Sequence, residues 1–420
     1  MAERRERPMG SVTFILNGKE RTAVFSGRET LLKYLRNVEC LKGTKEACGT
    51  GQCGACSVII DGKLCRSCVT LLKNIQGRTV ETIENVAENG ELSVIQKSFL
   101  DAGAVQCGFC TPGMVMATKV LLSGNLNPTE EEICEALKNN YCRCTGYVKI
   151  IEAVKLAAAR LRGEETTLQD VRQKEHTEII AGENQKISPV KGTALGKPVW
   201  DVDGPAKVSG SLKFCDDFEE EEFREGKMLH GAFVWAPAPR AKILSMQTER
   251  AAAAEGVVRI VTAADVPGSP LVGTWTPEQK VFCDENVYFL GDVLALVVAD
   301  TEEHARAAAA LVQVNYEEKE GIYTMADGYA KESFLLHTGR EAGDVEAAKQ
   351  KEGIVRLKVS KEMERQEHAC MEPESAIGYY KDGKMTVYSC TQSPFEIRRM
   401  LANNLAMNEE DVRVVATPLG

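Results

Sequence analysis

The chain has 420 residues, 44% hydrophobic and 27% charged, a composition typical of folded domains and not of disordered ones. Its formal charge is −10 and it contains no basic block, which argues against binding to nucleic acid or to an anionic membrane. It has 5 histidines, too few to favour a histidine-built metal site, but 15 cysteines, of which 11 lie between Cys40 and Cys144.

Residues 11–82 predict a small mixed domain. Residues 11–16 and 22–25 alternate as strands do, around an Asn17-Gly18 turn that is typical of a β-hairpin. Leucines at helical spacing predict a helix over residues 29–36. Further strands are expected at residues 57–60 and 79–83.

Residues 92–162 predict helices. Thr111 followed by Pro112 is a typical helix start, and Thr129 with Glu132 has the spacing of a capping box. A third, alanine-rich helix is expected over 147–161. Cys134 lies inside one of these helices, where we expect it to pack in the core.

The rest of the chain alternates between strand and helix patterns. Residues 163–192 are polar and weakly periodic, which predicts a linker. The acidic run 216–222 predicts a solvated loop and not a metal site. Strands are expected at 228–235, 256–262, 293–298, 312–316 and 413–416, with a helix at 302–311.

Neither a secretory signal nor an apolar run long enough to cross a bilayer is found in the sequence. We therefore expect a cytoplasmic protein that is not membrane-bound. Thiols stay reduced in that compartment, so clustered cysteines point to a metal before a disulfide.

The first cysteine cluster has the plant-type [2Fe–2S] spacing. Cys48, Cys53 and Cys56 are spaced C-x4-C-x2-C in a glycine-rich loop, and Cys68 follows as the fourth ligand. Cys65 lies three residues earlier and is easily mistaken for that ligand. The alternative is structural zinc, which usually takes its thiolates in two separated pairs.

The second cysteine cluster combines two short spacings. Cys107 and Cys110 form a C-x2-C pair, and Cys142 and Cys144 form a C-x-C pair. Both pairs lie near predicted helix N-termini, where backbone N–H groups stabilise thiolates. A C-x2-C pair alone also fits redox or zinc chemistry, but C-x-C fits zinc poorly. We expect a second [2Fe–2S] cluster.

Three motifs carry a resemblance to a known family. CGTGQCGAC at 48–56, QCGFCTPGM at 106–114 and YCRCTGY at 141–147 resemble the iron–sulfur module of the molybdenum hydroxylases, the xanthine dehydrogenases and aldehyde oxidoreductases. GKPVWDVDGPAKVSGSLKF at 196–214 is similar to the start of that family's hammerhead domain. EHACMEPESA at 367–376 and TQSPFEIRRML at 391–401 are similar to the opening of its molybdopterin-binding domain.

The resemblance implies an α+β multidomain fold. Its expected parts are a β-grasp, plant-type [2Fe–2S] ferredoxin-like domain (1–84), an all-helical [2Fe–2S] domain (85–162), a linker (163–192), an α/β hammerhead domain (193–325) and the truncated beginning of a molybdopterin-binding domain (326–420).

The resemblance also implies the activity. A molybdenum–molybdopterin site would hydroxylate an aldehyde or an N-heterocycle such as a purine with oxygen from water, and electrons would leave through two [2Fe–2S] clusters. The second cluster would be nearest the pterin, with Gln106 and Cys144 on the pterin side. Gln392 would donate a hydrogen bond near the molybdenum; its alternative is a surface or turn amide. His368 and Glu372 either line a substrate channel or have structural roles.

Two departures from the family pattern modify these expectations. The 30 residues 163–192 are too few for the flavin domain of many xanthine dehydrogenases, and no G-x-G-x-x-G loop is present, so we expect no FAD domain. The acceptor is then an external protein or a flavin subunit, and a homodimer is one expected assembly. The family's general-base glutamate has no counterpart here, which suggests a fragment or a split subunit.

Two other functions remain open from the residues. One is a stand-alone [2Fe–2S] electron-transfer subunit of a larger complex, and the other is a zinc-stapled scaffold without redox function. Within the leading interpretation, aldehydes and purine-like substrates rank nearly equal.

Overall fold

The computed structural model describes residues 10–25, 27–173, 199–223, 226–274, 278–334, 336, 338–340 and 342–420. They form two compact units. The first unit runs to Glu219 and includes His368–Pro394 and Val414–Gly420; the second contains Glu220–Glu367 and Phe395–Arg413. Among these described residues, no helix is both long and apolar enough to cross a bilayer.

The strands of the described residues are, in chain order, β1 (Gly10–Leu16), β2 (Lys19–Phe25), β3 (Ser57–Ile60), β4 (Lys63–Arg66), β5 (Thr79–Glu81), β6 (His230–Trp235), β7 (Ala241–Gln247), β8 (Val257–Thr262), β9 (Leu271–Val272), β10 (Gln279–Lys280), β11 (Asn286–Val287), β12 (Val293–Ala299), β13 (Gln313–Glu318), β14 (Ala376–Lys381), β15 (Lys384–Ser389) and β16 (Val412–Ala416).

The α-helices of the same residues are α1 (Leu31–Asn37), α2 (Val94–Asp101), α3 (Thr111–Gly124), α4 (Glu130–Leu137), α5 (Val148–Leu161), α6 (Leu168–Gln173), α7 (Gly204–Ser209), α8 (Glu249–Ala252), α9 (Glu302–Ala309), α10 (Met325–Ala330), α11 (Val345–Lys349) and α12 (Pro394–Leu405).

The N-terminal part of the first unit is a five-stranded mixed sheet of order β2-β1-β5-β3-β4, in which β1 and β5 are parallel. The predicted hairpin is confirmed: Asn17 and Gly18 both have positive φ, as the tight turn between β1 and β2 requires. Thr30 caps helix α1, because its side chain accepts a hydrogen bond from the Lys33 N–H. Strand β5 ends at Glu81, because Ile83 already begins a 3-10 turn.

Helices α2 to α5 pack around a second apolar core in the same unit. The predicted capping box at Thr129 and Glu132 is present and starts α4. The prediction for Cys134 was wrong: α4 buries only Ile133 and Leu137, and Cys134 lies on its exposed face.

The predicted linker begins with a short helix. Helix α6 lies within residues 163–173, and α5 packs against it. The remainder of the predicted linker, residues 174–192, lies outside the described residues.

The second unit contains antiparallel sheets of order β6-β12-β8 and β11-β7-β13, with α9 packed against β6 and β12. The predicted strands at 228–235, 256–262, 293–298 and 312–316 and the helix at 302–311 are confirmed as β6, β8, β12, β13 and α9. Strand β7 was not predicted, because only some of its residues have apolar side chains that pack in the core.

The C-terminal segment adds a third sheet, of order β14-β15-β16. Strands β14 and β15 form a hairpin, and the expected strand at 413–416 is present as β16. After β16 the Thr417 N–H donates to the Ser389 carbonyl oxygen, which holds the following residues against β15.

Candidate functional site

Four cysteine thiols meet around one loop of the first unit. The loop between α1 and β3 carries Cys48, Cys53 and Cys56, and Cys68 follows β4. Cys56 and Cys68 share a thiol hydrogen bond, and so do Cys48 and Cys53. This first thiol group therefore consists of two pairs, Cys48 with Cys53 and Cys56 with Cys68.

One thiol of each pair in the first group favours the thiolate. Burial raises the pKa of Cys48, but hydrogen bonds from Thr50 and Cys53 outweigh it and lower that pKa to about 6. The hydrogen bond from Cys68 lowers the pKa of Cys56 to about 6 and raises the pKa of Cys68. Since the thiolate is the form that binds metal, each pair in the first group contains one thiol that favours metal binding.

Cys65 does not belong to the first thiol group. It lies on β4 opposite Val58 and packs against the apolar core of the five-stranded sheet. Cys68 lies beyond the end of β4, where the chain turns back towards Cys56.

A second set of four thiols lies where two helices begin. Cys110 is the cap residue of α3, with Cys107 just before it, and Cys142 and Cys144 lie in the loop that leads into α5. Thiol hydrogen bonds join Cys110 with Cys142 and Cys107 with Cys144. This second thiol group thus repeats the arrangement of two pairs.

In the second group, Cys142 is the thiol that favours the thiolate. The hydrogen bond with Cys110 and others from Thr145 lower the pKa of Cys142 to about 5, although burial opposes the change. The same hydrogen bond with Cys142, together with burial, raises the pKa of Cys110.

The pairing bears on the kind of metal that fits. A structural zinc site needs four donors around one ion, whereas a [2Fe–2S] cluster takes two thiolates on each of its two irons. Paired thiols suit the second kind of centre.

The two thiol groups are held together by backbone contacts. The Gly54 carbonyl oxygen accepts hydrogen bonds from Asn140 Nδ2 (3.2 Å) and Ser57 Oγ (2.6 Å), and the Cys53 carbonyl oxygen accepts one from the Tyr141 N–H (2.8 Å). A Cβ at Gly113, in the first turn of α3, would lie 2.3 Å from the Gly54 carbonyl oxygen. Glycine at 113 therefore allows the first loop to rest directly on the helix that carries the second group.

A buried charge network lies beside the first loop. Lys45 and Asp217 form an ion pair in which both side chains are at most 2% exposed, and Arg36 binds the same carboxylate at 2.9 Å. The prediction that residues 216–222 form a solvated loop is therefore wrong for Asp217. Its two cationic partners lie far away in the sequence, so the acidic run alone gave no signal of them.

The second unit contains an apolar cavity of about 550 Å³ between β8 and α12. Val261, Phe282, Met400 and Leu401 are among the residues that line it. Asp265 is the one titratable side chain among the described lining residues, and it already accepts hydrogen bonds from Arg259 and Thr262. The described lining of the cavity is therefore mainly apolar, and its one carboxylate is already hydrogen-bonded.

Comparison with known families assigns four segments of the chain. The 2Fe-2S iron-sulfur cluster binding domain matches residues 14–93, and the [2Fe-2S] binding domain matches 82–155. The a/b hammerhead domain of aldehyde oxidase and xanthine dehydrogenase matches 209–320. The molybdopterin cofactor-binding domain matches 329–420.

Similar proteins support the same assignment. The nicotinate dehydrogenase small FeS subunit of Eubacterium barkeri is 46% identical over 150 residues, which are 36% of this chain and 96% of that subunit. The chain belongs to the molybdenum hydroxylase family. The family prediction and the α+β multidomain fold, with its two [2Fe–2S] domains, its hammerhead domain and the start of a molybdopterin-binding domain, are thereby confirmed.

Aldehyde oxidoreductases match this chain along nearly its whole length. The enzyme of Megalodesulfovibrio gigas is 32% identical over 96% of this chain and 45% of its own. The solved aldehyde oxidoreductase of Desulfovibrio gigas superposes with a TM-score of 0.82 at 30% identity, over 98% of this chain and 46% of that one. The chain thus spans less than half the length of these relatives.

The residues predicted to face the molybdenum cofactor lie at the surface of the first unit. Gln106 and Cys144 are both exposed, and Cys144 is linked to Cys107. Gln392 is exposed in the bend between β15 and α12. Within the described residues, no hydrogen bond or ion pair joins Gln392 to Gln106 or Cys144. Glu372 is buried and accepts hydrogen bonds from the Cys215 and Gly420 N–H groups, which gives it a structural role.

Proposed function

We propose that this chain binds two [2Fe–2S] clusters and forms part of the molybdenum site of a hydroxylase. The grouping of eight thiols into two sets of two pairs is the observation that carries the proposal. The first cluster would be held by Cys48, Cys53, Cys56 and Cys68, and the second by Cys107, Cys110, Cys142 and Cys144.

The surroundings of the thiols suit clusters better than zinc. Backbone N–H groups of Thr50, Cys53 and Thr145 donate to thiol sulfurs, as hydrogen bonds to the sulfurs of a cluster would. Four of the eight thiols are buried and two are half-buried, while Cys48 and Cys144 are exposed. Each group therefore has one ligand near solvent. By the family resemblance, the cluster at Cys48 would be the one that faces the external acceptor.

When bound, the clusters would supply one-electron carriers and the molybdenum–molybdopterin cofactor would supply the oxidising centre. Gln106 and Cys144 would contact the pterin, and Gln392 would donate a hydrogen bond near the molybdenum. The buried hydroxyl of Thr417, in the segment that matches the cofactor-binding domain, has no hydrogen-bond partner in the described structure. A polar cofactor beside it would satisfy that group.

The names of the relatives indicate two classes of substrate. The relatives that match most of this chain are named aldehyde oxidoreductases, whereas shorter matches are named for nicotinate, nicotine, xanthine and caffeine. We propose an aldehyde or an N-heterocycle such as a purine as the substrate. An external protein or a flavin subunit would accept the electrons, and a homodimer is the proposed assembly.

Isotope transfer tests this function on the purified holoenzyme that contains the chain. The enzyme is supplied with an aromatic aldehyde or hypoxanthine, a one-electron acceptor dye and water enriched in ¹⁸O. We expect ¹⁸O in the product, measured by mass spectrometry, together with bound molybdenum. A stand-alone electron-transfer subunit would give iron but neither molybdenum nor product, and oxygen taken from O₂ would contradict the proposal.

A further inference from the structure

Lys45 is a fully buried cation three residues before Cys48. Its side chain is 1% exposed. The ammonium group donates to the Asp217 carboxylate and to the Leu212 carbonyl oxygen (3.1 Å), and it lies 4.9 Å from the centroid of the Phe214 ring. Burial lowers the pKa of Lys45, and the neighbouring Asp217 opposes that change. All three contacts favour the charged form of the lysine.

The Phe214 ring links Lys45 to both thiol groups. Phe214 packs edge-on against Phe109, with the ring centroids 5.0 Å apart. These two rings form one small apolar cluster with Cys53 of the first group, and Cys107 of the second group packs against it. Apolar side chains therefore lie between the charge and the thiols, and a field is screened less by such side chains than by water.

Lys45 belongs to a buried network of mixed charges, in which the loss of its own charge is what a cluster would sense. Lys45 and Arg36 are both buried and share one buried carboxylate, that of Asp217. The second carboxylate that binds Arg36, Asp216, is 67% exposed and is screened by solvent. Glu372 and Glu84 are the other acidic groups that act on this network.

We propose that Lys45 is an electrostatic positioning residue that raises the reduction potentials of both clusters. The inference rests on the proposed function, since it presupposes clusters at the two thiol groups. Reduction adds one electron, and so one negative charge, to a cluster; in a titration, dithionite supplies that electron. A buried cation nearby stabilises the reduced form relative to the oxidised form.

Replacing Lys45 by methionine keeps much of the apolar side chain and removes the charge. We expect Lys45→Met to shift the one-electron equilibria of both clusters about tenfold towards the oxidised form, which is about 59 mV. Asp217→Asn removes the opposite charge, and we expect its potential to shift in the opposite direction. Potentials would be measured by dithionite titration of the purified protein, followed by visible absorbance and by electron paramagnetic resonance.

A double variant separates charge from packing. Lys45→Met combined with Asp217→Asn differs from Asp217→Asn only in the charge and shape of residue 45, so it should have the lower potential of the two. Lys45→Met alone leaves the buried Asp217 carboxylate without its lysine partner and for that reason could lose iron. The comparison of the double variant with Asp217→Asn still measures the effect of the charge at residue 45 in that event. Lys97→Met is the matched control, because Lys97 is 42% exposed on α2.

Iron content, measured first on every variant, distinguishes a failure of the proposed function from a failure of the role of Lys45. A wild-type protein without iron would overturn the proposed function itself. Variants that keep their iron and have potentials within twofold of their references would overturn the role of Lys45. Shifts of the same sign for Lys45→Met and Asp217→Asn would also overturn it, since they indicate a change of packing.

Discussion

Cys110→Ala is expected to halve the iron content of the protein, from about four to about two irons per chain. Cys110 is buried, caps α3 and pairs with Cys142, so its loss leaves the second group with three thiols. The first group shares no cysteine with the second and should keep its cluster. Iron analysis and the visible absorbance of anaerobically purified protein measure the change.

Cys134→Ala is the matched control for that experiment. Cys134 also belongs to the helical part of the first unit, but it is exposed and α4 does not need it for packing. We expect this variant to keep all its iron. Full iron in Cys110→Ala would show that Cys110 is not a ligand, and complete loss of iron would show that the two centres are not independent.

Gly113→Ala is expected to destabilise both centres together. The new Cβ would lie 2.3 Å from the Gly54 carbonyl oxygen, a backbone atom that cannot rotate away. The first loop would have to move off α3, away from the bonds it makes to Asn140 and Tyr141. Overpacking of this kind costs about 1–3 kcal/mol of unfolding free energy. Thermal unfolding and iron retention measure the effect.

Gly124→Ala controls for the change of residue type. Gly124 is the last residue of α3, and a Cβ there would meet nothing within 4 Å. Alanine at this position should leave stability unchanged or improve it by up to about 1 kcal/mol through helix propensity. Equal stability of the two variants would show that the contact between Gly113 and Gly54 does not hold the loops together.

The positions of the eight thiols follow from sequence spacing, but their pairing does not. The C-x2-C and C-x-C patterns indicate which cysteines lie near helix starts. They do not indicate that Cys107 lies against Cys144 and Cys110 against Cys142. That arrangement depends on how the loop before α5 packs over the start of α3, which is a tertiary contact.

The buried ion pair of Lys45 and Asp217 could not be predicted from the sequence. Asp217 lies in an acidic run that is typical of a solvated loop, and Lys45 lies in a polar stretch before the cysteines. Their ion pair spans 172 residues. Neither local propensity nor periodicity reports a contact of that range, because each residue alone favours exposure.

Fold prediction succeeded where a local rule was sufficient. The Asn17-Gly18 turn and the capping box of α4 depend only on neighbouring residues, and both are present. Strands β7, β14 and β15 were missed, because β7 and β14 are largely exposed and β15 is half-buried along most of its length, so none has a clearly buried apolar face. Their pairing comes from the surrounding sheets.

Iron and inorganic sulfide per chain, measured on anaerobically purified protein with its zinc content and visible spectrum, test the central claim most directly. Two [2Fe–2S] clusters predict about four irons and about four sulfides per chain, and a red-brown protein. A colourless protein that contains zinc and no inorganic sulfide would contradict the claim, and the thiol pairs would then have to be explained as structural zinc ligands.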